Sequence, residues 1–118
     1  MSGCCVEREV LGSTAWYRVN GNFEGSCAFD LSRRLEKEAL SEVVLDFSRA
    51  AHFVDYGVAV MSSALLSMPH KAIHLRGLRQ HQLRLFKYFG VEPDELLRRA
   101  VLAPKPKASP RSAAGEVA

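Results

Sequence analysis

The hydrophobic pattern is clearest in the middle of the chain, where two apolar stretches are separated by a polar segment. Val43–Phe47 is short and β-branched, which predicts a buried central strand of about five residues. Asp55 then stands where a helix N-cap belongs. No charged residue occurs from Tyr56 to Pro69, so we expect a helix that is apolar or small on nearly every side and that ends before the proline.

The segments before this unit predict a hairpin and a surface helix. Val6–Leu11 suits a half-exposed edge strand, with Val6, Arg8 and Val10 on one side and Glu7, Glu9 and Leu11 on the other. Thr14–Val19 predicts a second strand close enough to pair with it antiparallel, and Asn20–Asn22 predicts its end. Ser26 is the expected N-cap of a helix whose buried stripe has a spacing of four residues: Cys27, Leu31, Leu35 and Ala39.

The segments after the uncharged helix predict a further strand and two more helices. Lys71–Arg76 alternates like a strand near an edge, and Leu78–Phe89 has one apolar helical face. Gly90 suits a helix end with positive φ, and Pro93 suits the first position of a fourth helix. The order β-β-α-β-α-β-α-α predicts an α/β fold, a mixed sheet of an N-terminal hairpin and parallel crossover strands packed with about four helices.

Composition predicts one domain and places most of the basic excess outside it. The domain is expected to span residues 1–102, followed at 103–118 by a disordered tail rich in Pro, Lys, Ser and Ala. The tail has three basic residues and one acidic residue, which is +2 of the formal charge of +3. The folded part therefore does not have the basic surface of a nucleic-acid-binding protein, and no apolar run is long enough to insert into a membrane.

The cysteines and histidines predict no metal site or catalytic centre. Cys4, Cys5 and Cys27 are odd in number and lack metal-ligand spacing, so we expect free thiols in a reducing cytoplasm. The start of the chain also lacks the apolar region of a signal peptide. The four histidines show no metal-binding spacing. We therefore expect a cytoplasmic protein that is not an enzyme and needs no cofactor or metal.

Four segments, in order, resemble the STAS family, the domain of anti-sigma factor antagonists and of the cytoplasmic part of sulfate transporters. Val19–Glu24 resembles the family's hydrophobic-x-Gly-Glu-Leu-Asp segment, and Val43–Ser48 its Val-Leu-Asp-Leu-Ser strand. Phe53–Val58 resembles its Phe-Ile-Asp-Ser-Ser-Gly loop. Leu75–Leu78, with Phe89–Val91 after it, resembles the final strand and helix. The resemblance covers about Val6 to Val101 and implies a single STAS-like domain.

The loop departs from the family pattern at the position that matters for regulation. In the switchable members a Ser or Thr directly after the loop Asp is phosphorylated, whereas here that position holds Tyr56. A tyrosine hydroxyl lies several ångströms farther from the backbone, so a kinase site shaped for serine should not align it. We therefore predict that serine phosphorylation of the loop does not switch this protein.

The resemblance implies a protein that works by binding a partner. Its expected contact residues lie in the loop and the helix after the third strand and in the adjacent loop: Phe23, Glu24, Asp55, Tyr56, Gly57, Ala59, Val60 and Ser63. The expected partner is an anti-sigma factor or kinase-like protein. Two alternatives stay open, a non-catalytic STAS subunit bound to the ATPase of an ABC-type lipid transporter, and a small-ligand-binding domain. A second candidate surface for an acidic partner is the basic set Lys71, Arg76, Arg79, Arg84 and Lys87.

Overall fold

A computed structural model describes residues 4–102, with side chains through residue 98. The elements follow the predicted order, and their bounds are β1 (Cys4–Leu11), β2 (Thr14–Phe23), α1 (Gly25–Glu36), β3 (Glu42–Phe53), α2 (Asp55–Leu66), β4 (Ala72–Arg76), α3 (Gln80–Tyr88) and α4 (Pro93–Leu102). The predicted disordered tail, residues 103–118, lies outside the described residues. Within them, no helix combines the length and the apolar character needed to cross a membrane.

The four strands form one mixed sheet in the order β1-β2-β3-β4. The hairpin strands β1 and β2 pair antiparallel, and β2, β3 and β4 are parallel. The predicted α/β class and the mixed sheet with an N-terminal hairpin are therefore confirmed. Because β3 lies inside the sheet and leads directly into α2, the start of α2 is fixed by the most central part of the fold.

Strands β2 and β3 are longer than the sequence pattern predicted. The expected break at Asn20–Asn22 and the expected loop after Phe47 are both wrong, since these segments pair with each other as far as Phe23 and Phe53. Two register shifts in this pairing and the positive φ of Gly21 accommodate residues that would normally end a strand. The extension is polar and largely exposed, which is why its composition resembled a loop.

One apolar core joins the sheet to the helices. Inner-face side chains of the strands and buried residues of all four helices belong to the same cluster. At one end of this core, four rings pack at centroid distances of 5.2–6.2 Å, mostly edge to face: Phe23, Phe47, Phe53 and Phe86. This aromatic cluster supports the end of β2 and the end of β3, from which α1 and α2 start.

A buried carboxylate fixes the connection between α1 and β3. The two Glu38 oxygens accept hydrogen bonds from Arg8 at 2.7 and 3.0 Å, and Oε1 also accepts one from the Tyr17 hydroxyl. The Leu40 amide donates to Oε2 at 3.0 Å. The Arg8 hydrogen bonds, aided by those of Tyr17 and Leu40, outweigh the effect of burial and lower the pKa of Glu38 to about 2. Lys71 donates to the main-chain oxygens of Glu38 and Leu40, so this connection is also held to the start of β4.

The prediction that all three cysteines are free thiols is wrong. Cys4 and Cys27 form a disulfide, with their Cα atoms 6.0 Å apart, while Cys5 is free and exposed. Neighbouring strand residues point to opposite faces of the sheet, so Cys4 faces α1 and Cys5 does not. The sequence could not reveal the pairing because it depends on how the hairpin lies against α1.

Candidate docking site

The predicted contact residues gather where β3 leads into α2. Val54, and not Asp55, is the N-cap of α2, and no side chain caps the helix. The Val54 amide donates to the Phe23 carbonyl at 3.0 Å, and its own carbonyl accepts from Val58 at 3.1 Å. Val54 thus ends the strand pairing and begins the helical hydrogen bonds, and the helix starts one residue earlier than the capping rule predicted. Asp55 is exposed in the first turn, where its charge complements the helix dipole.

Tyr56 projects from the first turn of α2 and is 62% exposed. Its ring lies on Gly25, since a Cβ built at Gly25 would come within 2.7 Å of the Tyr56 Cδ2 atom. The ring also meets Phe29 of α1 edge to face, with centroids 6.4 Å apart. Phe29 is itself 51% exposed, so the two rings form an aromatic pair open to solvent.

Gly57 brings the start of α2 into contact with the turn between β2 and α1. A Cβ at this position would lie 2.8 Å from the Phe23 carbonyl oxygen and 2.9 Å from the Glu24 carbonyl carbon. These are backbone atoms that cannot move aside without shifting the turn, so glycine allows the close approach. Gly57 is buried and shapes the site without offering a side chain to a partner.

The structure places Phe23 in the core, which corrects its assignment as a contact residue. The side chain has no exposed surface and packs in the aromatic cluster. Its neighbour Glu24 is half-buried and is the N-cap residue of α1, a position predicted for Ser26. The Ser26 hydroxyl instead lies 3.4 Å from the Glu24 carboxylate, to which it donates.

A groove of about 530 Å³ runs between α1 and α2 behind the aromatic pair. We call it the α1–α2 groove. Its α2 wall carries no charge, its α1 wall has one base and one acid, and its lining residues are Phe29, Ser32, Arg33, Glu36, Tyr56, Ala59, Val60, Ser63, Ala64 and Ser67. The groove therefore brings together four predicted residues: Tyr56, Ala59, Val60 and Ser63.

The α1 wall of the groove was missed by sequence reasoning. The sequence pattern predicts a buried stripe on this helix that does not include Phe29, Arg33 or Glu36. Phe29 offered a signal, because it is a large aromatic residue outside the buried stripe of Cys27, Leu31 and Leu35. Phe29 packs only at its edge, against the exposed Tyr56, and the two rings together form an apolar patch of the kind that partners contact.

The second candidate surface is the basic set, and two of its side chains make contacts within the domain. Lys71 is bound to main-chain oxygens of the connection before β3. Arg76 lies with its guanidinium carbon 5.5 Å from the centre of the Trp16 ring, on the strand face opposite the core. Two of the five bases thus serve the domain itself, and the set carries less weight as a partner surface than the groove does. Within residues 4–98, no group of three or more His, Cys, Asp or Glu residues could hold a metal ion.

The fold is similar to those of solved anti-sigma factor antagonists. The anti-sigma factor antagonist SpoIIAA in its unphosphorylated form superposes with a TM-score of 0.55 at 13% sequence identity, covering 86% of this chain and 100% of that one. A STAS-domain antisigma-factor antagonist from Rhodobacter sphaeroides has 26% identity and a TM-score of 0.49, covering 62% of this chain and 83% of that one. No model of a known protein family matches the sequence, and no curated protein does.

The superposition on SpoIIAA extends over nearly the whole described chain and establishes the class of fold. The protein is a single mixed α/β domain with a STAS-like fold, as the four sequence segments predicted. Identity as low as 13% establishes the fold and nothing about the partner. The function has to be argued from the docking site.

Proposed function

We propose that this chain is a protein-interaction module of the STAS type, an anti-sigma factor antagonist-like regulatory adaptor. Its docking surface consists of Glu24, Asp55, Tyr56, Ala59, Val60 and Ser63, together with Phe29 on the α1 wall. The observation that carries the proposal is the Tyr56–Phe29 pair, two exposed rings in edge contact at the mouth of a groove with an uncharged wall. Exposed aromatic residues beside a small apolar surface are typical of protein interfaces.

The charge distribution supports a protein partner over a free anion or a nucleic acid. Asp55 and Glu24 flank the aromatic pair, and Arg33 and Glu36 on the other wall have opposite signs. Charges of both signs around the groove favour one orientation of a protein partner, and they do not attract anions or cations as a class. A partner segment that buries Tyr56 and inserts apolar side chains between α1 and α2 would leave these charges at the edge, in water.

We also propose that serine phosphorylation does not control this surface. Tyr56 is the second residue of α2, and its hydroxyl is at the far end of a ring that leans toward α1. Of the serines that follow, Ser62 is buried, and Ser63 lies about two turns along the helix. Neither occupies the place of the acceptor in the family pattern.

Phosphorylation is tested with an anti-sigma factor kinase, ATP and mass spectrometry of the peptide spanning 55–63. We expect no phosphate on the natural sequence and phosphate on the variant Tyr56→Ser, because serine restores the short acceptor directly after Asp55. Phosphate on Ser62 or Ser63 of the natural sequence would refute this part of the proposal. The Tyr56→Ser variant also shows that the kinase used can recognise the fold.

Partner binding is tested with a photo-crosslinking phenylalanine analogue placed at position 56 or, as a control, at position 88. Tyr88 is a matched site, since it is 82% exposed and lies on α3, away from the groove. We expect position 56 to capture a protein in cells and position 88 not to capture it. Equal capture at both positions would overturn the assignment of the surface.

The captured protein then serves as the binding partner in calorimetry. Tyr56→Ala should weaken its binding by about tenfold or more, as loss of an aromatic hot spot does, while Tyr88→Ala should leave binding unchanged. An anti-sigma factor-like ATPase would support the regulatory role. An ABC-type ATPase would instead assign the chain to the alternative, the STAS subunit of a transport complex. Unchanged binding by Tyr56→Ala would exclude both.

A further inference from the structure

The Cys4–Cys27 disulfide joins the edge of the sheet to the helix that carries one wall of the docking site. Cys4 is the first residue of β1, and Cys27 is the third residue of α1. The same first turn of α1 contains Gly25, on which the Tyr56 ring lies. The bond therefore holds the turn of chain that sets the position of the aromatic pair.

The two cysteines of this disulfide are not equally exposed. Cys27 is 3% exposed and belongs to the core, whereas Cys4 is half-buried at the end of the edge strand. Thiol–disulfide exchange requires a thiolate to approach one sulfur directly in line with the bond. Cys4 is therefore the more open of the two residues to an attacking thiolate, and attack there breaks the bond toward Cys27.

The first turn of α1 favours Cys27 as the leaving group. Its amide groups point toward the helix N-terminus, no side chain caps them, and the turn contains no acidic residue. The helix dipole and these amides stabilise a thiolate at Cys27 and counter the cost of its burial in the core, and a more stable thiolate leaves faster. The nearest carboxylate is that of Glu24, the half-buried N-cap residue, which opposes this effect in part.

We propose that Cys4–Cys27 is a reversible redox site that controls the docking surface, a regulation that rests on the function proposed above. The oxidised form holds the first turn of α1 in place for docking. Reduction by a dithiol releases that turn from β1, and the Gly25 and Phe29 side of the Tyr56 contact loses its fixed position. We call this disulfide the latch. It would regulate docking in place of phosphorylation, because position 56 holds a tyrosine and not the serine or threonine that a kinase would modify.

The exchange uses two electrons, both supplied by the dithiol. One thiolate of the dithiol attacks Cys4 Sγ and forms a mixed disulfide, while the bond between the two protein sulfurs breaks and its electron pair leaves with Cys27. The second thiol of the dithiol, as a thiolate, then attacks its own sulfur in the mixed disulfide and releases Cys4 as a thiolate. The protein gains two thiols after protonation, and the dithiol is oxidised to a cyclic disulfide.

The site of attack is tested with the single variants Cys27→Ser and Cys4→Ser and with oxidised glutathione as the probe. Each variant leaves one of the two cysteines as a thiol, and exposed Cys5 is an internal reference in both. We expect glutathione to join Cys4 in the first variant at a rate comparable to Cys5, and Cys27 in the second at least about tenfold more slowly. Equal rates at Cys4 and Cys27 would overturn the assigned direction of exchange.

The latch is tested by amide hydrogen exchange of the full chain before and after treatment with dithiothreitol. We expect exchange of the Ala28 amide, which donates to the Glu24 carbonyl, and of the Val58 amide, which donates to the Val54 carbonyl, to become about tenfold faster on reduction, with a smaller change in α3 as the sign that the fold persists. The double variant Cys4→Ser/Cys27→Ser should match the reduced protein. Equal protection of the first turn of α1 in the oxidised and reduced forms would overturn the proposal.

Whether the disulfide controls docking is measured in a separate experiment, by photo-crosslinking at position 56. The double cysteine variant should capture about tenfold less protein than the natural sequence does. Equal capture would overturn the control of docking by this bond. If position 56 captures nothing even with the disulfide intact, the proposed function fails, while hydrogen exchange and glutathione reactivity still decide whether the latch exists.

Discussion

Replacing Glu38 by glutamine should destabilise the fold at neutral pH in a way that disappears in acid. The variant keeps the shape of the side chain, but its single oxygen can accept from Tyr17 or from Leu40 and not from both, and it removes the negative charge that Arg8 faces at 2.7 Å. Arg8 then keeps its charge next to a neutral partner. A buried carboxylate with three kinds of donor should thus contribute much more than an ordinary surface acid.

The size of the effect follows from the pKa of Glu38. A fall from the model-peptide value of 4.5 to about 2 corresponds to at most about 3 kcal/mol of folding free energy. The Arg8 side chain is 44% exposed, so water screens the pair, and we take about half of that limit, roughly 1.5 kcal/mol. Because the pKa is lowered in the folded state, this stability is fully present above pH 4.5 and is lost as the pH falls through about 2.

Urea unfolding at several pH values measures this difference without adding salt. At pH 7, Glu38→Gln should unfold with a free energy about 1.5 kcal/mol below that of the natural sequence, and the two should converge as the pH falls from 4.5 toward 2. Glu42→Gln is the control, since Glu42 is an exposed acid at the start of β3. Equal costs for the two variants, or a cost for Glu38→Gln that does not change with pH, would refute the reasoning.

Three other changes in stability follow from the same structure and can be measured by the same assay. Gly77→Ala should lower the free energy of unfolding by more than about 2 kcal/mol, since Gly77 has φ +78° and a Cβ there would lie 2.5 Å from the Ser48 nitrogen. Gly12→Ala is the control, because Gly12 has φ +65° but open space around it, and it should cost about 1 kcal/mol. Equal costs for the two variants would contradict the clash at Gly77. Phe23→Ala should lose about 3–5 kcal/mol because Phe23 is fully buried, and a loss below about 1 kcal/mol would contradict its core position. Reducing the disulfide, which spans 23 residues, should lower the free energy of unfolding by about 3 kcal/mol; an unchanged urea midpoint would contradict that.

Local sequence patterns predicted the elements well and their ends less well. The order of all eight elements, the edge position of β1 and the positive φ of Gly90 follow from periodicity and turn residues. The starts of the helices do not follow from these patterns. The N-cap residues of α1 and α2 are Glu24 and Val54, whereas the capping rule predicted Ser26 and Asp55. At Val54 the sheet hydrogen bond to Phe23 decides where the helix begins, and such a tertiary contact overrides a capping preference.

The candidate site was partly predictable for the same reason. Tyr56, Ala59, Val60 and Ser63 share a helix, and one segment of sequence suffices to place them together. Phe29 and the disulfide depend on how α1 lies against α2 and β1, which no local pattern encodes. Phe23 was misplaced because an aromatic residue after a polar turn looks exposed, although its strand continues to the residue itself.

The geometry of Gly57 and the exposure of Tyr56 are two results of one packing arrangement. Consecutive residues of a helix point about 100° apart, so a helix that turns Gly57 toward the carbonyl groups of Phe23 and Glu24 must turn Tyr56 away from them. The ring then meets α1 at Gly25, where the absence of a side chain leaves room for it, and at Phe29. The exposed ring at the start of α2 is therefore positioned by the close contact of Gly57 with the turn between β2 and α1 and by the first turn of α1, which the disulfide holds. A surface positioned in this way loses little freedom when a partner covers it, which favours its use in docking.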